Sequence, residues 1–137
     1  MTESRRSILN LARTLSALLL ALFLVQAVHA APPVNDNCED RIAIDIGDTP
    51  FSTLEATTDG PPYPLACEDT DTDQTHNDIW YKFVAGSSGN LVVSTCNQAD
   101  YDTDLVLYAG TDCPPTVMVA CNDDADGCAD WSSLLTA

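Results

Sequence analysis

Acidic residues alternate with other residues in three stretches of this 137-residue sequence. Asp-x-Asp-x-Asp occurs within Glu68–Asp73 and again in Asp100–Asp104, and Asn-x-Asp-x-Asp-Gly occupies Asn122–Gly127. In a curved loop alternate side chains point the same way, so their oxygens can surround a divalent cation. Calcium is favoured over magnesium because the available ligands are numerous, flexible and oxygen-only. The predicted ligands are Asp102, Asp104, Asn122, Asp124 and Asp126.

The stretch that begins at Asn122 matches the start of an EF-hand loop, including the glycine at its sixth position. The twelfth position is Ser133, where an EF-hand needs Glu, and a strand is predicted to follow. Any metal must therefore be shared between loops. An equally weighted alternative is that these Asp and Asn residues form solvated turns through side-chain-to-backbone hydrogen bonds and hold no metal.

The six cysteines form an even set, which in an exported chain predicts three disulfides. A zinc site is disfavoured because no Cys-x-x-Cys pair occurs and His76 is the only histidine after residue 30. A Cys113–Cys121 bond requires the intervening prolines to fold the chain back, since a strand rises about 3.3 Å per residue. An alternative bonds Cys121 to Cys96 or Cys128 and leaves Cys113 free. The preferred pairs are Cys38–Cys67, Cys96–Cys128 and Cys113–Cys121.

Catalytic motifs are absent from the sequence, so we predict that the chain is not an enzyme. His76 lies in a very polar stretch, and nothing resembles the Gly-x-Ser-x-Gly nucleophile elbow. A glycosidase with paired carboxylates is disfavoured because the part after residue 30 has no groove-forming insert.

Aromatic side chains offer a second kind of binding chemistry, since an exposed ring can stack on a sugar. Most of them are expected to lie in the core instead. The candidates are Tyr63, Trp80, Tyr81, Phe83, Tyr101, Tyr108 and Trp131.

The N-terminus has the pattern of a secretory signal. Arg5, Arg6 and Arg13 precede or enter an apolar run at residues 15–28, and small residues at Val28 and Ala30 fit a cleavage site after Ala30. The run is shorter than the roughly 20 residues of a membrane span. We therefore predict a signal peptide at 1–30, a single domain at 31–137, no membrane span after signal removal, and a secreted, periplasmic or cell-surface location.

The net charge restricts the partners of that domain. Removal of residues 1–30 takes away three arginines and one glutamate, so the formal charge changes from −16 to −18. Such a surface repels phosphates, which excludes nucleic acid and anionic lipid as partners.

Seven short apolar runs, several of them alternating, are bounded by Gly, Pro, Asn and Asp. This pattern is typical of strands, and no segment after residue 30 shows a sustained helical period. The predicted class is all-β, an antiparallel sandwich stapled by disulfides. The runs are 42–46, 51–56, 79–85, 91–95, 105–109, 117–120 and 131–136.

Hairpin connections between successive strands would bring the acidic stretches together. If the strand at 79–85 turns into 91–95, and 105–109 turns into 117–120, the loops at 68–78, 96–103 and 121–130 all lie at one end. We expect any cation to be bound at this end.

Several motifs together resemble the PPC-like (pre-peptidase C-terminal-like) domains of exported bacterial proteins. The resemblance spans about residues 35–135 and implies a jelly-roll-like, non-catalytic accessory module. Its relatives are implicated in binding matrix or polysaccharide, sometimes with calcium. The motifs are Asn35-Asp-Asn-Cys38, Pro50-Phe-Ser-Thr53, Asn77-Asp-Ile-Trp-Tyr-Lys-Phe83, Ser88–Cys96, Tyr101–Tyr108 and Ala120-Cys-Asn-Asp-Asp124.

The sequence departs from that resemblance at its C-terminus, where such domains continue into further strands beyond Ala137. We therefore expect an incomplete domain with an exposed edge. The predicted function is a non-catalytic binding or adhesion module for extracellular polysaccharide or matrix protein, with a calcium-stabilised acidic end. The alternative is a purely structural spacer in a larger exported protein or hydrolase.

Overall fold

The computed structural model describes residues 29–62, 67 and 75–137. The chain separates into units 1–30 and 31–137. The predicted signal peptide, Tyr63 and the acidic stretch Glu68–Asp73 lie outside the described residues. In the described part, no helix has the length and apolar character needed to cross a membrane.

The described chain is all-β, with a turn of 3₁₀ helix at Cys38–Asp40. Short apolar runs that contain Val, Ile, Leu, Tyr and Phe form the strands. The strands are β1 (Ile42–Ile44), β2 (Tyr81–Phe83), β3 (Val92–Ser94), β4 (Leu105–Ala109), β5 (Val117–Asn122) and β6 (Leu134–Thr136).

The strands form three two-stranded sheets, two of them antiparallel. β4 and β5 make the predicted hairpin, with an irregularity at Leu107 and Tyr108 and a glycine at φ +105°, Gly110, where the turn begins. β3 pairs with β6, and reciprocal backbone hydrogen bonds between Leu91 and Ala137 (2.8 and 2.9 Å) lengthen the pairing. The predicted all-β, antiparallel class is confirmed by these two sheets.

The third sheet departs from the hairpin prediction. β1 pairs in parallel with β2, so β2 does not pair with β3, the next strand in sequence. Parallel strands need a long connection, which the 36 residues between Ile44 and Tyr81 supply. Residues 51–56, predicted as a strand, instead contain a turn in which Ala56 N–H donates to Thr53 C=O at 3.0 Å.

Hydrogen bonds fasten the start of the domain to Trp80, just before β2, and to Thr57, between β1 and β2. The Asn35 amide donates to the Trp80 carbonyl at 3.0 Å, and Trp80 N–H donates back to the Asn35 carbonyl at 2.9 Å. The buried carboxylate of Asp36 accepts from the backbone and hydroxyl of Thr57. These two residues belong to the Asn35–Cys38 motif, whose role is therefore structural.

Three disulfides join segments far apart in sequence: Cys38–Cys113, Cys67–Cys121 and Cys96–Cys128. The prediction of Cys96–Cys128 is confirmed. The predicted bonds Cys38–Cys67 and Cys113–Cys121 are wrong, and so is the alternative that leaves Cys113 free.

The physical reason lies at the β4–β5 turn. Cys113 precedes β5 while Cys121 lies near its end, so the strand holds the two apart. The Arg41 guanidinium instead donates to the carbonyls of Cys38 and Thr111, both at 3.0 Å, and docks the N-terminal segment against this turn.

The buried part of the described domain contains as many polar residues as non-polar ones. Six buried residues are polar, and the other six are Cys38, Ala56, Gly60, Ala99, Pro115 and Leu135. The hydrogen bonds and disulfides that satisfy and fix these groups therefore carry much of the fold. The buried polar residues are Asn35, Asp36, Thr95, Asp123, Ser132 and Ser133.

Candidate metal centre

The register of the β4–β5 hairpin brings two of the acidic loops together. Leu105, the first residue of β4, pairs with Asn122, the last residue of β5. Asp104 and Asp123 therefore occupy equivalent positions just beyond the paired ends of the two strands. The end of the hairpin, rather than one continuous loop, collects the carboxylates.

Three carboxylates converge at this end of the hairpin. Asp102, Asp104 and Asp123 each offer one oxygen, and the three oxygens lie within 4.8 Å of one another. Asp123 is only 8% exposed, Asp104 is half-buried and Asp102 is exposed. Calcium binds oxygen at 2.3–2.6 Å, so oxygens up to about 4.8 Å apart can share one ion.

The surroundings of Asp102 in this cluster disfavour its charged form. Desolvation of the Asp102 carboxyl group raises its pKa, the Asp123 carboxylate raises it further, and the Thr103 N–H opposes both effects. A carboxyl group with a raised pKa is less stable in its charged form than in water. A cation at this position would relieve that cost.

Ser133 lies beneath the cluster and links the two loops that carry it. It is completely buried, and its hydroxyl contacts the backbone carbonyls of Thr103 and Asp123. Its backbone N–H donates to the hydroxyls of Thr95, at 2.9 Å, and Thr103, at 3.2 Å. Those two hydroxyls are 2.6 Å apart. The loop before β4 and the loop after β5 therefore share one buried polar support.

Ser132, which is also completely buried, connects the same two loops. Its hydroxyl donates to the Ala129 carbonyl at 2.6 Å and accepts from Asn97 N–H at 3.3 Å. The Cys96–Cys128 bond joins the same two loops. The predicted proximity of the 96–103 and 121–130 loops is thus a feature of the fold.

Two of the five predicted ligands, Asp102 and Asp104, lie in the three-carboxylate cluster. Asp124 and Asp126 are exposed and are not part of it. The Asn122 side chain is engaged elsewhere, because its oxygen accepts from Leu134 N–H at 2.8 Å and its amide donates to the Asp124 carbonyl at 3.2 Å.

Sequence reasoning missed Asp123 as a ligand candidate because it falls outside the alternating pattern. The signal that could have found it is its position as the first residue after β5, opposite Asp104. Strand register, and not spacing within one loop, selects the residues that meet.

The third acidic loop does not contribute its described carboxylate to this cluster. The Asp78 carboxylate accepts a hydrogen bond from the Asp59 backbone N–H at 3.0 Å. Partial burial of Tyr108 raises the pKa of its hydroxyl, and the Asp78 charge raises it further. Asp78 therefore lies beside Asp59 and Tyr108 and is not one of the three clustered carboxylates, whereas the Cys67–Cys121 bond joins the residue before this loop to the end of β5. His76 is exposed.

The fold and the site define a class: a small, disulfide-bonded all-β domain with carboxylates gathered at one hairpin end. Residues 34–132 match a family model described as galactose binding domain-like and T9SS-associated. The chain belongs to this family. No curated protein and no solved structure matches it.

Membership of this family agrees with several coarser predictions. The galactose-binding-like domain is a β-sandwich of secreted bacterial proteins, which confirms the predicted fold class and the general kind of family. Accessory domains of this type are typically non-catalytic. The T9SS association and the disulfides point to an extracellular or cell-surface protein.

Proposed function

We propose that this chain is an exported, non-catalytic binding module for extracellular polysaccharide, in which calcium fixes the acidic end of the β4–β5 hairpin. The family supports an accessory role and the carbohydrate-binding character of the fold. The finer resemblance to PPC-like domains, seen in motifs such as Asn35–Cys38, supports the same assignment. The three disulfides fit a protein that works outside the cell.

The observation that carries the calcium part is the convergence of Asp102, Asp104 and Asp123 within 4.8 Å. Gathering three negative charges in a partly buried place is unfavourable unless protons or a cation compensate them. The three supply carboxylate oxygens, the ligands that hard divalent cations prefer, and they come from two loops whose geometry can adapt. Water would complete the coordination of calcium.

Calorimetry on the metal-stripped protein tests this site. We expect calcium to bind at one site, more tightly than magnesium, and to raise the thermal midpoint. A calcium concentration 100 times Kd would add about 2.7 kcal/mol to the free energy of unfolding. Asp104→Asn and Asp123→Asn should each abolish or strongly weaken the binding.

Asp126→Asn is the matched control, because it removes the same charge from the same acidic loop at an exposed position outside the cluster. It should bind calcium like the unaltered protein. A protein that binds no calcium, or a control that loses as much affinity as Asp123→Asn, would contradict the assignment.

Polysaccharide binding is tested separately by electrophoresis of the protein through gels that contain one polysaccharide each. The panel comprises neutral galactan, xyloglucan and hydroxyethyl cellulose, with alginate and polygalacturonate as anionic probes. We expect retardation by a neutral polysaccharide in the presence of calcium, and less retardation with a chelator. Retardation by none of them would overturn the binding function, and a purified matrix protein bound instead would replace it.

A further inference from the structure

An open cleft lies between two segments that the calcium site does not use. It has a volume of about 450 Å³ and is lined by residues 48–51 on one side and 98–101 on the other. Binding sites for small molecules occupy roughly 300–1,000 Å³ and combine apolar surface with a few polar groups. The dimensions of this cleft therefore suit part of a small ligand or one end of a polymer.

Two aromatic rings contribute to the apolar part of the cleft. Phe51 and Tyr101 meet edge to face, with ring centroids 6.5 Å apart and planes at 70°. Such an arrangement is a favourable aromatic geometry and restrains the orientation of both rings. The Thr53 hydroxyl adds a contact of 3.4 Å to the Tyr101 hydroxyl. Tyr101 remains 40% exposed, so part of its surface is available to a ligand.

Polar side chains also line the cleft. Asp48 and Asp100 supply carboxylate oxygens and Gln98 supplies an amide, so the cleft offers both acceptors and a donor. A ligand that satisfies this lining needs hydroxyl groups at its edge and an apolar face of C–H bonds. The two carboxylates disfavour an anion.

We propose that this cleft binds a neutral sugar ring of the polysaccharide, with Tyr101 as the stacking platform. The inference rests on the proposed function and deepens it, because it names the binding site and the charge class of the sugar. Asp48, Asp100 and Gln98 receive the ring hydroxyls. Each added hydrogen bond fixes the orientation of the sugar on the aromatic face.

The cleft is connected to the calcium site through the chain itself. Tyr101 directly precedes Asp102, so a cation held by Asp102 and Asp104 fixes one end of the segment that forms the cleft wall. The other end is fixed by the Cys96–Cys128 bond, and Gln98 N–H donates to Thr95 C=O at 2.9 Å. Calcium therefore preorganises the wall, which lowers the entropy cost of binding the sugar.

The test uses the polysaccharide that retards the unaltered protein most strongly in the gel panel. We expect Tyr101→Ala to weaken retardation by roughly tenfold, whereas Tyr101→Phe keeps the ring and most of the affinity. Trp131→Ala is the control, since Trp131 is 68% exposed but does not line the cleft. Calcium titration of each variant verifies that its fold and metal site are intact.

The outcomes separate this inference from the proposed function. Retardation by a neutral polysaccharide that Tyr101→Ala loses and Trp131→Ala keeps supports the cleft. Unchanged retardation of Tyr101→Ala, or loss in Trp131→Ala alone, overturns the cleft and leaves the binding function standing. Retardation by the anionic polysaccharides alone overturns the neutral-sugar assignment. Failure of every polysaccharide overturns both, even if calcium still binds.

Discussion

Asp78 is a carboxyl group whose surroundings oppose its charge. Partial burial raises its pKa above the ordinary value of 3.8, the backbone N–H of Asp59 opposes this shift, and the Asp59 carboxyl group adds to it. A raised pKa in the folded state means that the folded protein holds the proton more tightly than the unfolded chain does. Its contribution favours folding in acid and is lost as the pH rises through the folded-state value.

Asp78→Asn should therefore stabilise the protein at neutral pH, because it removes the charge and keeps an oxygen to accept the Asp59 N–H. The gain relative to the unaltered protein should shrink to nothing as the pH falls below about 3.8. Urea unfolding at a series of pH values measures both effects. Asp126→Asn controls for the general benefit of one charge fewer on a very acidic chain, and an equal, equally pH-dependent gain there would contradict the assignment to Asp78.

At the scale of elements, the ends of β4, β5 and β6 depend on buried polar groups more than on apolar contacts. Thr95, Thr103 and Ser133 join the segments around β3, β4 and β6, and Ser133 also contacts the Asp123 carbonyl after β5. A buried carbonyl that loses its donor costs about 1–3 kcal/mol. An apolar residue in place of Ser133 would leave the Thr103 and Asp123 carbonyls without this hydroxyl contact, so the position of the acidic loops depends on Ser133.

Ser133→Ala should destabilise the protein by about 1–3 kcal/mol, because it removes the buried hydroxyl that contacts the Thr103 and Asp123 carbonyls. It should also weaken calcium binding, since both loops of the cluster lose a common anchor. Denaturant unfolding without metal and calorimetry with calcium measure the two effects separately. Ser87→Ala, in the exposed turn after β2, is the matched control. Unaltered calcium affinity in Ser133→Ala would show that Ser133 supports stability alone.

For the molecule as a whole, the disulfides connect parts that the small sheets do not. Cys38–Cys113 spans 75 residues, Cys67–Cys121 spans 54 and Cys96–Cys128 spans 32. Six of the seven segments that the sequence predicts as strands contain a strand in the structure. Each of these strands pairs with only one other strand. Covalent links between distant segments restrict the unfolded chain and so stabilise a fold of this kind.

Proteolytic digestion of the unreduced protein followed by mass spectrometry should yield the three linked peptides of the observed pairs. Replacing both members of one pair by serine should cost about 2–5 kcal/mol of stability, with the largest loss for the longest loop in the chain-entropy model. A Cys38–Cys67 peptide would contradict the observed pairing. Equal stability of the oxidised and the reduced protein would contradict the structural role of the bonds.

The sequence alone was sufficient for the features that depend on neighbouring residues. Alternation and turn residues located most strands and the β4–β5 hairpin, and the even cysteine count predicted three bonds. The acidic repeats located two loops of the candidate site, including Asp102 and Asp104. These features are readable because side-chain direction in a strand and the conformation of a turn are local properties.

Tertiary structure decided which distant segments meet. β2 pairs in parallel with β1 and does not form the hairpin expected at Gly86–Asn90. The Arg41 guanidinium binds the carbonyls of Cys38 and Thr111 and so holds Cys38 near the turn that contains Cys113. Six cysteines permit 15 pairings, and spacing does not choose among them. Asp123 likewise lies in the carboxylate cluster because of the register between β4 and β5, whereas the Asn122 side-chain oxygen accepts from Leu134 N–H in β6. Strand register and packing between segments depend on the whole set of long-range contacts, which no single stretch of sequence contains.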